Sequence, residues 1–200
     1  MTVPEQFCSA CGARLRAPRV RGEGAWNQHW RQGLSKAQQF IAYGDREADV
    51  RCPCGTVVEL QNGPLSRNEI EHRERVYGNM VWLFHAVEAH AKNRLRLLLT
   101  PGKVHVNFNW QSPRQTIDAC RRDVYLDLGA SDQARGLHLV LKASRRYWQT
   151  SRLLGSGRLY TAQAFHSWMA HGVPLVPWNP ENDISDDGYA QSTISTTASV

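Results

Sequence analysis

The sequence has no apolar run long enough to cross a bilayer and no charged-then-apolar leader at its start. Neither a membrane-spanning nor an exported protein is therefore expected, and the cytoplasm is the expected compartment. Acidic residues are the scarcer charge, 18 Asp and Glu against 24 Lys and Arg, which leaves a formal net charge of +6. That balance suits a polyanionic partner without identifying one. Cysteines number five, an odd count, and four of them fall as the close pairs Cys8/Cys11 and Cys52/Cys54. In a reducing compartment, cysteine pairs beside glycine read better as a metal site than as disulfides. No internal repeat is present, and 200 residues suffice for one domain whose core needs no disulfide.

What is present concentrates in residues 46–77, READVRCPCGTVVELQNGPLSRNEIEHRERVY. The β-branched stretch TVVELQ has strand character, and the Cys-Pro-Cys-Gly before it turns the chain back on Asp49 and Val50. A hairpin is expected. Alternation puts Glu59 and Gln61 on one face and Val58 and Leu60 on the other. Asp49, on the partner strand, is brought towards Glu59. Two carboxylates and an amide oxygen make a hard oxygen site suited to Mg²⁺ or Mn²⁺. The following helix has Ser66 as N-cap, Glu69 completing a capping box, Leu65 and Ile70 as a hydrophobic staple, and Gly78 after its end. On it Glu69, Arg73 and Tyr77 stand four residues apart on one polar face. The same spacings also describe an ordinary exposed strand followed by a solvated salt-bridge face.

Residue types and their order go further than spacing. Arg46-Glu47-Ala48-Asp49-Val50, Val58-Glu59-Leu60-Gln61, Pro64-Leu65-Ser66, then Glu69, Arg73, Tyr77 and Met80-Val81-Trp82-Leu83 resemble the competence protein CoiA-like family. That family is similar to the PD-(D/E)XK nucleases, whose mixed sheet has a central acidic hairpin flanked by helices. The resemblance implies a restriction-endonuclease-like α/β core, a mixed sheet of α+β type. It also implies Asp49 and Glu59 as Mg²⁺ or Mn²⁺ ligands and Gln61 where the superfamily has Lys. Upstream, Glu23, Trp26 and Trp30 match the family's first helix, making Glu23 a further catalytic carboxylate. Asn27 stands where relatives have His, Arg31 where they have Lys, and Asn62-Gly63 where they have His-Ser. The likeness extends over about residues 23–142. It implies a DNA endonuclease; a zinc-stapled DNA-binding or interaction module that keeps the fold without the chemistry is the alternative. A structural protein of a phage or mobile element is a third reading.

Around this core, residues 1–22 are expected to form a knuckle in which Cys8, Cys11, Cys52 and Cys54 hold a structural Zn²⁺, with buried free thiols as the competing reading. The single residue between Cys52 and Cys54 is short for such chelation. Cys120 reads as a core thiol. Residues 23–40 are expected to be helical after their glycines, 80–84 a buried strand, 94–100 and 103–110 a hairpin, and 113–122 a short helix. Strands are expected at 124–128 and 136–142, and a closing helix at 160–171. The nuclease-like domain spans 23–180, and the polar residues 181–200 read as a disordered tail. DNA is the expected partner, with contacts on Arg46, Arg73 and Tyr77 beside the hairpin and on Arg145 and Arg146 in a basic, aromatic-rich stretch. Such a stretch also serves as amphipathic cover over a core. A homodimer is compatible with the sequence, and no membrane association is expected.

Overall fold

The computed structural model describes residues 24–100, 103–113 and 115–179, together with a short ribbon of β1 (Gln6–Phe7) and β2 (Arg14–Leu15). The chain then runs through α1 (Ala25–Arg31), β3 (Gln39–Tyr43), β4 (Arg46–Arg51), β5 (Val57–Gln61), α2 (Arg67–Tyr77), β6 (Met80–His85) and α3 (Val87–Ala91). It continues through β7 (Leu95–Leu98), β8 (His105–Gln111), β9 (Asp123–Ser131), β10 (Leu137–Gln149), β11 (Arg152–Thr161) and α4 (Ala162–His171). The described strands after the ribbon form one mixed sheet in the order β3-β4-β5-β6-β9-β10-β11-β8-β7. Pairs β5–β6 and β6–β9 are parallel and every other neighbouring pair is antiparallel.

Two apolar layers cover the sheet. On one face Ile70 and Tyr77 of α2 pack with Val57, Trp82 and Leu126; on the other Trp30 of α1 and Phe165 and Met169 of α4 pack with Val58, Leu83 and Val140. This explains a difference from the sequence reading. All five residues of β5 are buried, including Glu59 and Gln61, because β5 lies between β4 and a parallel β6 with helices over both faces. Alternation in the sequence does separate the two faces, but neither face is solvent.

The local helix signals around α2 hold in part. The Ser66 hydroxyl accepts the Glu69 N–H at 3.2 Å, and Gly78 closes the helix at a φ of 65°. Such an N-cap stabilises a helix by about 1 kcal/mol. The reciprocal half of the capping box is replaced, because the Glu69 carboxylate turns to Arg46 and Arg73. The helix expected over 23–40 is cut short: α1 ends at Arg31, Gly33 takes a φ of 81°, and residues 39–43 are an edge strand. Residues 113–122 hold a 3-10 turn, Gln115–Ala119, in place of an α-helix.

The largest correction lies in the basic stretch. Residues 145–148 belong to β10, which runs well past residue 142, and 152–161 form β11, so the two make a long hairpin. Two glycines permit it. A Cβ at Gly157 would stand 1.9 Å from the Lys142 carbonyl oxygen, and one at Gly155 would stand 2.1 Å from that of Arg145, across a bulge in the β10–β11 register. Gly157→Ala must therefore part the two strands, and a loss of about 1–3 kcal/mol in urea-denaturation stability is expected. An unchanged midpoint would show that the close approach has no energetic weight.

Candidate functional site

The hairpin β4–β5 opens where its acids stand. Its ladder pairs Arg51 with Val57 and Val50 with Val58. At the next step the Asp49 side chain takes over from the backbone, with Oδ2 accepting the Leu60 N–H at 2.8 Å. The strands can then diverge without leaving that donor unmet.

Glu59 is 1% exposed. Its Oε2 accepts from Arg73 Nη1, while its Oε1, fully buried, has no hydrogen-bond partner among the described residues. Arg73 also donates through Nε to Glu69 Oε1 at 3.1 Å, and Arg46 donates to the same oxygen at 2.8 Å. Tyr77, one turn beyond Arg73 on α2, donates its hydroxyl to the Glu47 carbonyl at 3.0 Å. The face marked by Glu69, Arg73 and Tyr77 is thus turned inward onto Glu59, and the solvated alternative does not apply to it. Burial first, then the negative charge of Asp49, pushes the Glu59 carboxyl well above the ordinary glutamate range, against the pull of Arg73. Burial works against the Arg73 charge as well, and Glu59 restores it.

Other residues close the site from the α1 side. Arg31, 4% exposed, brings Nη1 to 3.7 Å from Asp49 Oδ1 and lies over the Phe40 ring, its Cζ 4.5 Å from the centroid. Asn27, four residues earlier on the same helical face, donates to the Leu60 carbonyl at 3.3 Å. Gln61 donates its amide to the Gly63 carbonyl, and Asn62 Oδ1 lies 3.0 Å from His85 Nδ1. Nothing in the sequence announces the hairpin as the target of Asn27 and Arg31.

The structure brings together Asp49, Glu59, Arg73 and Tyr77, with Arg46 reaching them through Glu69. It does not bring Arg145 and Arg146 to the same place, since they lie on β10 with β6 and β9 between it and β5. Arg145 is exposed, whereas Arg146 spends its guanidinium on the carbonyls of Ala143 and Cys120, both at 2.9 Å. The bond to Cys120 ties the loop after residue 119 to β10. Glu23, Cys8 and Cys11 lie outside the described residues.

No family model, curated protein or solved structure matches this chain.

Among the described residues no group of three or more His, Cys, Asp or Glu side chains is arranged to hold a metal ion. The described fit is a two-carboxylate one, and the buried, unpartnered Glu59 oxygen beside Asp49 is what a cation would satisfy. At the hairpin turn Cys52 is buried and Cys54 exposed. Burial, then the neighbouring Cys54, pushes the Cys52 thiol up to about 12. Cys54 Sγ contacts Thr56 Oγ1 at 3.3 Å, so both thiols sit on one tight turn, short of the four ligands a structural zinc takes.

Proposed function

We propose that this chain is a divalent-metal-dependent DNA endonuclease with a restriction-endonuclease-like core, hydrolysing phosphodiester bonds at the β4–β5 hairpin. The observation that carries the reading is Glu59: a carboxylate with one oxygen on Arg73 and the other buried without a partner, next to a second acid. An unsatisfied buried carboxylate oxygen is costly, and a hard cation shared with Asp49 relieves that cost. The mixed sheet with its acidic hairpin flanked by helices supports the same reading.

Asp49 and Glu59 would hold Mg²⁺ or Mn²⁺, with Glu23 as the further ligand the family resemblance implies. When bound, such an ion supplies the charge that polarises a phosphoryl oxygen and makes water a competent nucleophile. The chain's own residues do the rest. Gln61 is neutral and cannot replace the superfamily Lys as a cation, but Arg73 stands at Glu59 and supplies a guanidinium from α2. Arg46 is held through Glu69 within the same network and adds a second positive charge beside the scissile phosphate. Plasmid and branched DNA incubated with Mg²⁺ test the assignment, with Asp49→Ala and Glu59→Ala as controls. Equal cutting by wild type and both variants removes it.

Two observations favour the alternative, a zinc-stapled DNA-binding module without chemistry: Arg73 already pairs with Glu59, and Asn62 is engaged with His85. That module binds DNA in EDTA with a salt-dependent affinity and cuts nothing.

The zinc proposal has its own readout. Cys52 and Cys54 with Cys8 and Cys11 predict about one zinc per chain in the purified protein, lost in Cys52→Ser/Cys54→Ser. Metal-free wild-type protein that is fully folded would leave free thiols at the turn.

A further inference from the structure

A second polar feature lies away from the hairpin acids. At the sheet end where β5, β6 and β9 begin, a cleft of about 540 Å³ is lined by Thr56, Asn79, Arg121, Arg122, Tyr125 and Trp168, among others. That volume falls within the roughly 300–1,000 Å³ of small-molecule sites. Tyr125 and Trp168 meet at 6.5 Å between centroids with planes 28° apart, so an aromatic surface lies beside two arginines.

The loop carrying those arginines is fixed by two charged side chains. Glu74, 6% exposed, accepts the backbone N–H groups of Arg121 at 2.9 Å and Arg122 at 3.0 Å, together with Trp82 Nε1 at 2.9 Å. Arg146 holds the Cys120 carbonyl just before them. Two side chains that would otherwise be costly to bury thus hold the backbone of residues 120–122 in place. The Arg121 and Arg122 side chains are exposed, and neither has an ion-pair or hydrogen-bond partner among the described residues. The acid next in the chain, Asp123, is taken by Lys142 at 2.6 Å. A rigid backbone presenting two uncommitted guanidiniums at an aromatic-lined cleft has the makings of a phosphate site with a stacking surface.

We propose that this cleft binds a nucleotide unit of single-stranded nucleic acid, its phosphate on Arg121 and Arg122 and its base against Trp168. The site goes beyond the nuclease reading and does not depend on it, because it contains none of the hairpin acids and binding is read without metal. The test is fluorescence anisotropy of a labelled single-stranded oligonucleotide with the full chain in EDTA, at several salt concentrations. A deoxynucleoside monophosphate and inorganic phosphate serve as competitors. Arg121→Ala/Arg122→Ala should weaken binding by roughly tenfold or more and flatten the log–log salt slope by about 0.7, the loss of one phosphate contact to a single strand. Trp168→Leu should weaken binding with the slope unchanged, and Lys92→Ala/Arg96→Ala, removing equal charge near the β7 edge, should leave affinity within about twofold. The nucleotide should compete at lower concentration than phosphate. Equal losses in the two double variants would reduce the effect to net charge and overturn the site. Competition by phosphate at the same concentration as the nucleotide would remove the base from it.

Discussion

Replacing Glu59 by Gln or Asp49 by Asn is expected to lower Mg²⁺-dependent DNA cleavage by about 10²–10³-fold, the scale on which removing one preorganised electrostatic contact acts. These isosteric changes leave no cavity, so the loss is one of charge. At Glu59 a second consequence separates electrostatics from damage to the fold. Its folded-state carboxyl is raised by burial and by Asp49, so the neutral form is the one the folded state favours. Stability linked to this group is therefore full below the ordinary glutamate range and declines as pH rises above it. Thermal melts of the metal-free protein should fall on going from acid to neutral pH and above. Glu59→Gln, which cannot ionise, should flatten that fall, and Mn²⁺ should flatten it in the wild type by favouring the charged form. A variant that stops cutting while keeping the wild-type pH slope would place the loss elsewhere than in this carboxylate.

The parts of the chain legible from sequence are those where local and tertiary requirements agree. Ser66 and Gly78 bound α2 because a cap and a left-handed glycine act within one turn, whatever the sheet does. The Cys-Pro-Cys-Gly turn marked the hairpin for the same reason, with Gly55 at a φ of 84°. Where tertiary context decides, sequence reading failed. Residues 39–43 are recruited as an edge strand by pairing with β4, which no local pattern announces. Residues 152–158, interrupted by Gly155 and Gly157, carry no strand pattern of their own; β10 and β8 on either side make the glycines points of close approach.

The candidate site divides along the same line. Asp49, Glu59 and Arg73 could be named because residue types and order carried them, but their states could not. Whether Glu59 faces water or an arginine depends on α2 folding back over β5. Glu69 illustrates the point: its spacing from Ser66 fits a capping box, yet two arginines outcompete one backbone N–H for its carboxylate. The role of Asp127 was missed altogether, although a lone acid inside the apolar run VYLDL is the pattern that flags a buried polar group with committed partners.

Asp127→Ala is expected to destabilise the fold by about 3–5 kcal/mol, since it strips a buried charge from a fully paired cluster. Asp127 is 0% exposed on β9, yet both oxygens are saturated. Oδ2 accepts from Trp26 Nε1 at 2.6 Å and Trp30 Nε1 at 2.9 Å, while Oδ1 accepts from the Gly129 N–H at 2.9 Å and faces His138 Nε2 at 2.6 Å. Burial works against its charge, but His138, Trp26 and Gly129 together hold the carboxyl below its usual range. Its contribution is thus present above the ordinary aspartate value and lost as pH falls through the folded one. Seven-residue α1 has no side-chain N-cap bond and is too short to persist alone, so its two indoles on one carboxylate supply the anchoring that propensity does not. The consequence reaches the hairpin, because the same helix presents Asn27 to the Leu60 carbonyl and Arg31 to Asp49. Asp127→Asn should be nearly as harmful as Ala, since its amide must point a donor at either the indoles or His138. Trp26→Phe or Trp30→Phe removes one donor and should cost about 1–2 kcal/mol. Urea denaturation gives these differences, and hydrogen exchange over residues 25–31 shows whether α1 is released before the sheet. If α1 stays protected in Asp127→Ala, packing of Trp30 against Phe165 holds it to the sheet and the carboxylate is dispensable.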